Sequence, residues 1–354
     1  MDISFATVIA QITSNPVLLV TIILSIGTVI INGATDASNA IASAIATKSL
    51  SPFKAICMAA ILNFAGVSLM TLVSTAVAHT IFNMVDLGSD STAALIALMS
   101  AMVAIIVWGA VGWMFGIPTS QSHSLIAGIT GAAIALSMSF DCIVWSEWIK
   151  VIYGLVASMG LGFGLGWLFT KLIGLLCRNV NFRHSQKTFG RLQVVAAALL
   201  AFMHGAQDGQ KFMSVCVLGV MLAMGSGHVM GEMSFPLWVI ILCSSSMCIG
   251  TALGGKRIIK SVGMDMVKME KWQGFAATMA ATASILISTL SGFPISTTHT
   301  NTTAIMGVGS AKRLRAVKWG VAKDMVWTWI LTFPGCGLIA FGLTFLFQWL
   351  LQMF

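Results

Sequence analysis

The feature that most constrains this chain is a series of long apolar runs, near 16–47, 53–80, 92–115, 149–176, 191–224, 236–254, 273–291 and 319–353. A helix needs about 20 apolar residues to cross a bilayer. Charge agrees, since 8% of the 354 residues are Asp, Glu, Lys or Arg, against about 25% in a soluble domain. The expected fold class is an all-α polytopic membrane protein. The formal net charge of +8 is not a nucleic-acid signature, because the basic residues lie in short loops between the runs. The seven cysteines form no C-x-x-C pair and read as small apolar residues. No basic leader precedes the first run, so no cleavable signal is expected.

Of the 19 Lys and Arg residues, all but Lys150 and Lys211 fall at Lys48 and Lys54, at Lys171, or in the loops 177–191, 255–272 and 311–323. The loops 81–92, 138–148 and 225–235 are acidic. Placing every basic loop in the cytoplasm makes this a multi-pass protein of the inner (cytoplasmic) membrane with both termini outside. Loop charges run basic, acidic, acidic in the first half and acidic, basic, basic in the second, whereas the motifs described next repeat in parallel. That combination marks two inverted-topology repeats, 1–176 and 191–354, around a cytoplasmic linker, 177–190. Inversion requires an odd number of crossings per unit. Five each, about ten membrane segments in all, fits if 117–137 and 293–310 are counted. The Gly, Ser and Thr content of those two points to re-entrant hairpins. Runs of about thirty residues with polar centres read as broken helices.

Two motifs recur. Asn32-Gly-Ala-Thr-Asp36-Ala-Ser-Asn39 corresponds to His204-Gly-Ala-Gln-Asp208-Gly-Gln-Lys211, each inside an apolar run. Gly116-Ile-Pro-Thr-Ser120-Gln121-Ser122-His123 corresponds to Gly292-Phe-Pro-Ile-Ser296-Thr297-Thr298-His299. A carboxylate at membrane depth costs roughly 2.5–3.5 kcal/mol on insertion scales and marks function by default. Gly-x-Pro stops one helix, and Pro is favoured in the first turn of the next. The Ser, Thr and Gln residues that follow then stand at a helix N-terminus, where free N–H groups and the positive dipole end attract anions. Two such ends, one per half, can clasp a tetrahedral oxyanion. Asp36 and Asp208 repel it, so the anion needs accompanying cations. Na⁺, protons on the aspartates, or a divalent metal arriving with the anion all meet that need.

Asn39 follows Asp36 by three residues, and Lys211 follows Asp208 by three, which places each on the carboxylate's helix face. An amide oxygen can ligate Na⁺. An ammonium cannot, and it can stand where a cation would. The second half is therefore expected to hold no Na⁺ at Asp208, with coupling leaning toward protons. Simpler roles stand beside these. Asp36 can cap a helix break, Asp208 can form a structural ion pair with Lys211, and the hydroxyls can satisfy backbone at a kink. His123 and His299 are expected to be hydrogen-bonded packing residues rather than proton carriers. The alternating glycines Gly160, Gly162, Gly164 and Gly166 read as close helix packing.

These four motifs resemble the inorganic phosphate transporter (PiT) family of bacterial phosphate permeases, sodium–phosphate symporters and some sulfate permeases, and the resemblance spans the chain from about 16 to 350. The resemblance implies a secondary active transporter that imports inorganic phosphate by cation symport, with no cofactor beyond the coupling ion, H⁺ or Na⁺. It implies Asp36, Asn39 and Asp208 for cation coupling, and Ser120, Gln121, Ser122, Ser296, Thr297, Thr298 and Lys211 for the anion. No resident metal site is implied. Sodium-coupled members resemble Asp-x-x-Asn in both halves. Gln210-Lys211 resembles instead the bacterial permeases taken to be proton-coupled and able to carry metal–phosphate complexes. Gln121 departs from the Thr of many relatives. A sulfate permease and a Na⁺-coupled phosphate symporter are the alternatives, and a homodimer is compatible with either. An intramembrane hydrolase pairing Ser122 or Thr298 with the adjacent His is disfavoured, because neighbouring residues on a helix point apart. Paired buried carboxylates also favour occlusion over an open channel.

Overall fold

The computed structural model describes residues 4–13, 15–225, 235–254, 259 and 266–352, excepting the side chains of 182–184 and 351–352. Much of the loops 225–235 and 255–272, whose charges entered the orientation argument, lies outside them. Among the described residues there is no strand. The helices are α1 (Phe5–Ile12), α2 (Pro16–Thr35), α3 (Ala37–Ala46), α4 (Pro52–Val73), α5 (Ala76–Phe82), α6 (Ser91–Phe115), α7 (Gln121–Ser137), α8 (Trp145–Leu176), α9 (Phe182–Ala223), α10 (Leu237–Leu253), α11 (Lys271–Leu290), α12 (Thr297–Lys312) and α13 (Trp319–Gln352). Among the described residues seven stretches are long and apolar enough to cross a membrane, against the ten segments expected. The shorter helices α7, α10 and α12 have 17, 17 and 16 residues.

Only one half has the expected broken helix. The chain passes from α2 to α3 at Asp36, whose backbone stays right-handed (φ −79°, ψ −33°). In the second half α9 runs unbroken through Asp208, and α8 and α13 are continuous as well. The reason at Asp208 is local. Lys211 one turn ahead answers its charge along the same helix, with His204 one turn behind against the same carboxylate, so the backbone need not open. The segment 177–190 is largely the first turns of α9 rather than loop.

Both hairpins form. α6 stops where Gly116 turns left-handed (φ 69°), and the corresponding turn after α11 is at Gly292 (φ 72°). Short non-helical links then lead to the N-caps Ser120 and Ser296, whose hydroxyls accept from the N–H groups of His123 and His299. The prolines are not in the first helical turn as expected. Pro118 and Pro294 stand two residues before the caps, where their fixed φ shapes the link while serine does the capping.

The acidic loops on either side of the first hairpin lie together. Asp86 N–H donates to the Cys142 carbonyl, and Val144 N–H to the Met84 carbonyl. At 1.5 Å per residue, α6 is about 37 Å long and α7 about 25 Å. Both end at that one face, so the N-terminus of α7 starts deep inside the protein. Elsewhere Lys318 N–H, in the basic stretch before α13, donates to the Met266 carbonyl.

The two halves interlock. α8, at the end of the first, packs on α11 and α12, and α13, at the end of the second, packs on α6 and α7. On α8 it is Gly162 and Gly166 that meet α12, where an added Cβ would come within 2.4 Å of Thr303 Oγ1 and of the Ala304 carbonyl respectively. Gly160 and Gly164 face open space, so only alternate members of that run serve packing. The outer faces of α8 and α13 expose Leu172, Leu175, Ile330 and Leu338, as helices against lipid do.

Candidate functional site

The ten residues singled out in the sequence lie in one buried assembly, none more than 3% exposed. The N-termini of α7 and α12 meet head to head. The Ser120 and Ser296 hydroxyls, one per half, are 2.8 Å apart and hydrogen-bonded. Around this junction stand the two carboxylates, each bonded to one of the two hairpin N-termini.

The carboxylates are served differently. Asp36 does not cap its own helix. It accepts instead from the main-chain N–H of Gln121 (3.2 Å) with Oδ2, and so caps the first hairpin helix from across the site. Its Oδ1 has no hydrogen-bond partner among the described residues, and neither does Asn39 Oδ1. Asn39 Nδ2 donates to Thr298 Oγ1 (2.9 Å), and Asn301 Nδ2 to the Asn39 carbonyl (2.8 Å). These bonds tie the first-half motif to the second hairpin.

Asp208 is saturated. Oδ1 accepts from Lys211 Nζ at 2.7 Å and Oδ2 accepts from Thr297 Oγ1 at 3.2 Å, while His204 Nε2 stands 3.3 Å from Oδ2. Lys211 also donates to Ser122 Oγ (2.6 Å) and to the Ile295 carbonyl (2.6 Å). Its ammonium thus holds three oxygens, from α9, α7 and the link before α12. The ion pair foreseen in the sequence is present and also joins both hairpin tips.

Two sequence expectations change. The Gln121 side chain is turned to α6, where an added Cβ on Gly109 would meet Nε2 at 2.7 Å. Its amide atoms have no partner among the described residues, so Gln121 reaches the site through its main chain. His123 and His299 pack as expected, edge to face with centroids 4.2 Å apart, backed by Phe333 (4.7 Å) and Trp329 (3.7 Å) of α13. His123 faces the Trp329 backbone, and no ring nitrogen of either makes a short hydrogen bond among the described residues.

The sequence reading passed over His204 and Asn63. His204 is buried against Asp208, with Nδ1 3.0 Å from Asn63 Oδ1 of α4. A signal existed in the motif alignment, where His204 stands at the place of Asn32, four residues before the aspartate. Asn63 left no such trace. It arrives because α4 and α9 touch backbone to backbone at Gly205, where an added Cβ would come within 2.3 Å of the Asn63 carbonyl.

Comparison with known proteins bears on this assembly. The sequence pattern of the phosphate transporter family matches residues 32–340, from the first motif into α13. The chain belongs to that family. Relatives in it include a "Probable low-affinity inorganic phosphate transporter" of Bacillus subtilis (strain 168), 36% identical over 86% of this chain and 89% of the relative. Another of the same description, from Rhizobium meliloti (strain 1021), is 37% identical over 88% and 90%. Phosphate is the family's substrate, and such relatives are named as transporters rather than enzymes. The fold is also that of a solved structure described as "The sodium-dependent phosphate transporter", with a TM-score of 0.85 and 21% identity over 96% of this chain and 99% of that one.

Proposed function

We propose that this protein imports inorganic phosphate across the cytoplasmic membrane by cation symport, through alternating access of two inverted halves. In this reading α7, α10 and α12 count as membrane segments and the hairpins are re-entrant. The observation that carries it is the inequality of the two carboxylates. Asp208 already has a resident ammonium, while Asp36 faces the same junction with one oxygen unpaired. An anion bound where Ser120 meets Ser296 raises the cost of the Asp36 charge until a cation joins it. One exchangeable cation therefore belongs to the first half, with Asp36 and Asn39 as its ligands, and we assign it to a proton. Phosphate parts the serine hydroxyls and takes donors from Ser120, Ser122, Ser296, Thr297, Thr298 and the Gln121 N–H. Lys211 turns from the Ile295 carbonyl toward the anion.

The test is uptake of labelled phosphate into proteoliposomes with pH and Na⁺ gradients imposed separately, and with sulfate as competitor. Acceleration by an inward proton gradient alone, unaffected by sulfate, is expected. Acceleration by Na⁺ alone overturns the proton assignment, and sulfate competing as well as phosphate overturns the substrate.

A further inference from the structure

Asn63 fixes which nitrogen of His204 bears a hydrogen. Thr251 Oγ1 donates its only proton to the Met247 carbonyl (2.8 Å), so it can only accept from Asn63, which places Asn63 Nδ2 against it (3.1 Å). Asn63 Oδ1 then faces His204 Nδ1 at 3.0 Å, and Nδ1 must carry the hydrogen. In a neutral ring Nε2 is consequently a bare acceptor. Yet it stands 3.3 Å from Asp208 Oδ2, one acceptor against another in a fully buried setting. A proton between them turns that contact into a charge-assisted hydrogen bond.

We infer that His204 Nε2 is the proton-binding position of the second half, exchanged once per transport cycle. This rests on the proton-coupled reading above and adds a second proton to it. With His204 neutral, Asp36, Asp208 and Lys211 sum to one negative charge. Protons on His204 and Asp36 bring the sum to one positive charge, which a monoanionic phosphate cancels. Losing both protons leaves the site negative and expels the anion. The groups facing His204 fit this role. On α9 they are Asp208 and Lys211, and across the α2–α3 junction Asp36 repels Asp208. α4 and α10 bring the neutral Asn63 and Thr251. His123 of α7 lies within the field of Lys211. The sole titratable group of α5 is His79, and that of α11 is Lys271 at its first residue.

The experiment compares the unmodified protein, H204N and N63D in proteoliposomes. It also counts protons taken up per phosphate bound, using a pH dye in weakly buffered detergent solution. If the unmodified protein ignores a pH gradient, the proton-coupled reading itself fails. If it responds, H204N, which installs the first-half residue, is expected to bind phosphate while taking up one proton fewer. N63D places a carboxylate on the Nδ1 side, which favours the protonated ring, and the alkaline limb of uptake is expected to move upward by roughly one pH unit or more. A responsive parent whose proton count is unchanged in H204N overturns the assignment. So does an N63D profile that coincides with the parent's, a readout that decides the matter even if H204N fails to fold.

Discussion

The two aspartate niches come from one repeated motif and have been finished in opposite ways. In the first half Asp36 has amide neighbours, Asn32 one turn behind and Asn39 ahead, and one of its oxygens is unpaired. In the second half Asp208 has His204 and Lys211 at the same places, and every contact it makes is to a hydroxyl, an ammonium or an imidazole. Backbone follows chemistry. The helix is interrupted at Asp36 and continuous through Asp208. A duplicated motif thus supplies a site with one carboxylate ready to take charge from outside and one carrying its own.

That contrast can be broken most forcefully at Lys211. K211M strips the partner from a buried carboxylate, and a loss of about 3–5 kcal/mol in thermal unfolding is expected. Adding D208N should recover the stability without restoring uptake. A K211M protein as stable as the parent would mean that the two niches are not electrically different. D36N keeps the shape of the first niche and removes its charge, and phosphate uptake is expected to fall ~100-fold, or about 2.7 kcal/mol in the transport barrier, with the unfolding temperature little changed. K211N converts the second niche toward the first. Na⁺ is then expected to accelerate uptake about tenfold, worth about 1.4 kcal/mol, whereas the parent should not respond; indifference to Na⁺ in both removes the resident-ammonium idea. The smallest effect belongs to the shared element. S120A and S296A each delete an N-cap and should cost about 1 kcal/mol of stability. Because the two hydroxyls bond to each other, the double variant should lose less than the sum.

How much of this could be read before the structure follows from where the information sits. Apolar run length announced the membrane helices, and the paired motifs announced all ten buried residues, because burying a charge or an N-cap hydroxyl needs a visible reason in the chain. Helix continuity through Asp208 was not legible, since it depends on Lys211 and His204 both turning to one carboxylate. The Pro118 and Pro294 positions were misjudged for a related reason: serine and proline compete for the helix start, and the hydroxyl bond to the third residue won. Asn63 was invisible because its partner is 141 residues away, and only the backbone contact at Gly205 brings them together. The turning of the Gln121 side chain toward α6 depends likewise on the space left by Gly109.

The interlocking of the halves bears on biosynthesis. The first hairpin leaves the ribosome early, yet the helix that backs it, with Phe333 against His123, is α13. Until α13 has been made and inserted, the first tip has no lid on its outer side, and its buried polar groups face lipid or a chaperone. The first tip is thus closed by a helix translated about two hundred residues after it, and a chain truncated before α13 should be recognised by membrane quality control rather than persist as a half-transporter.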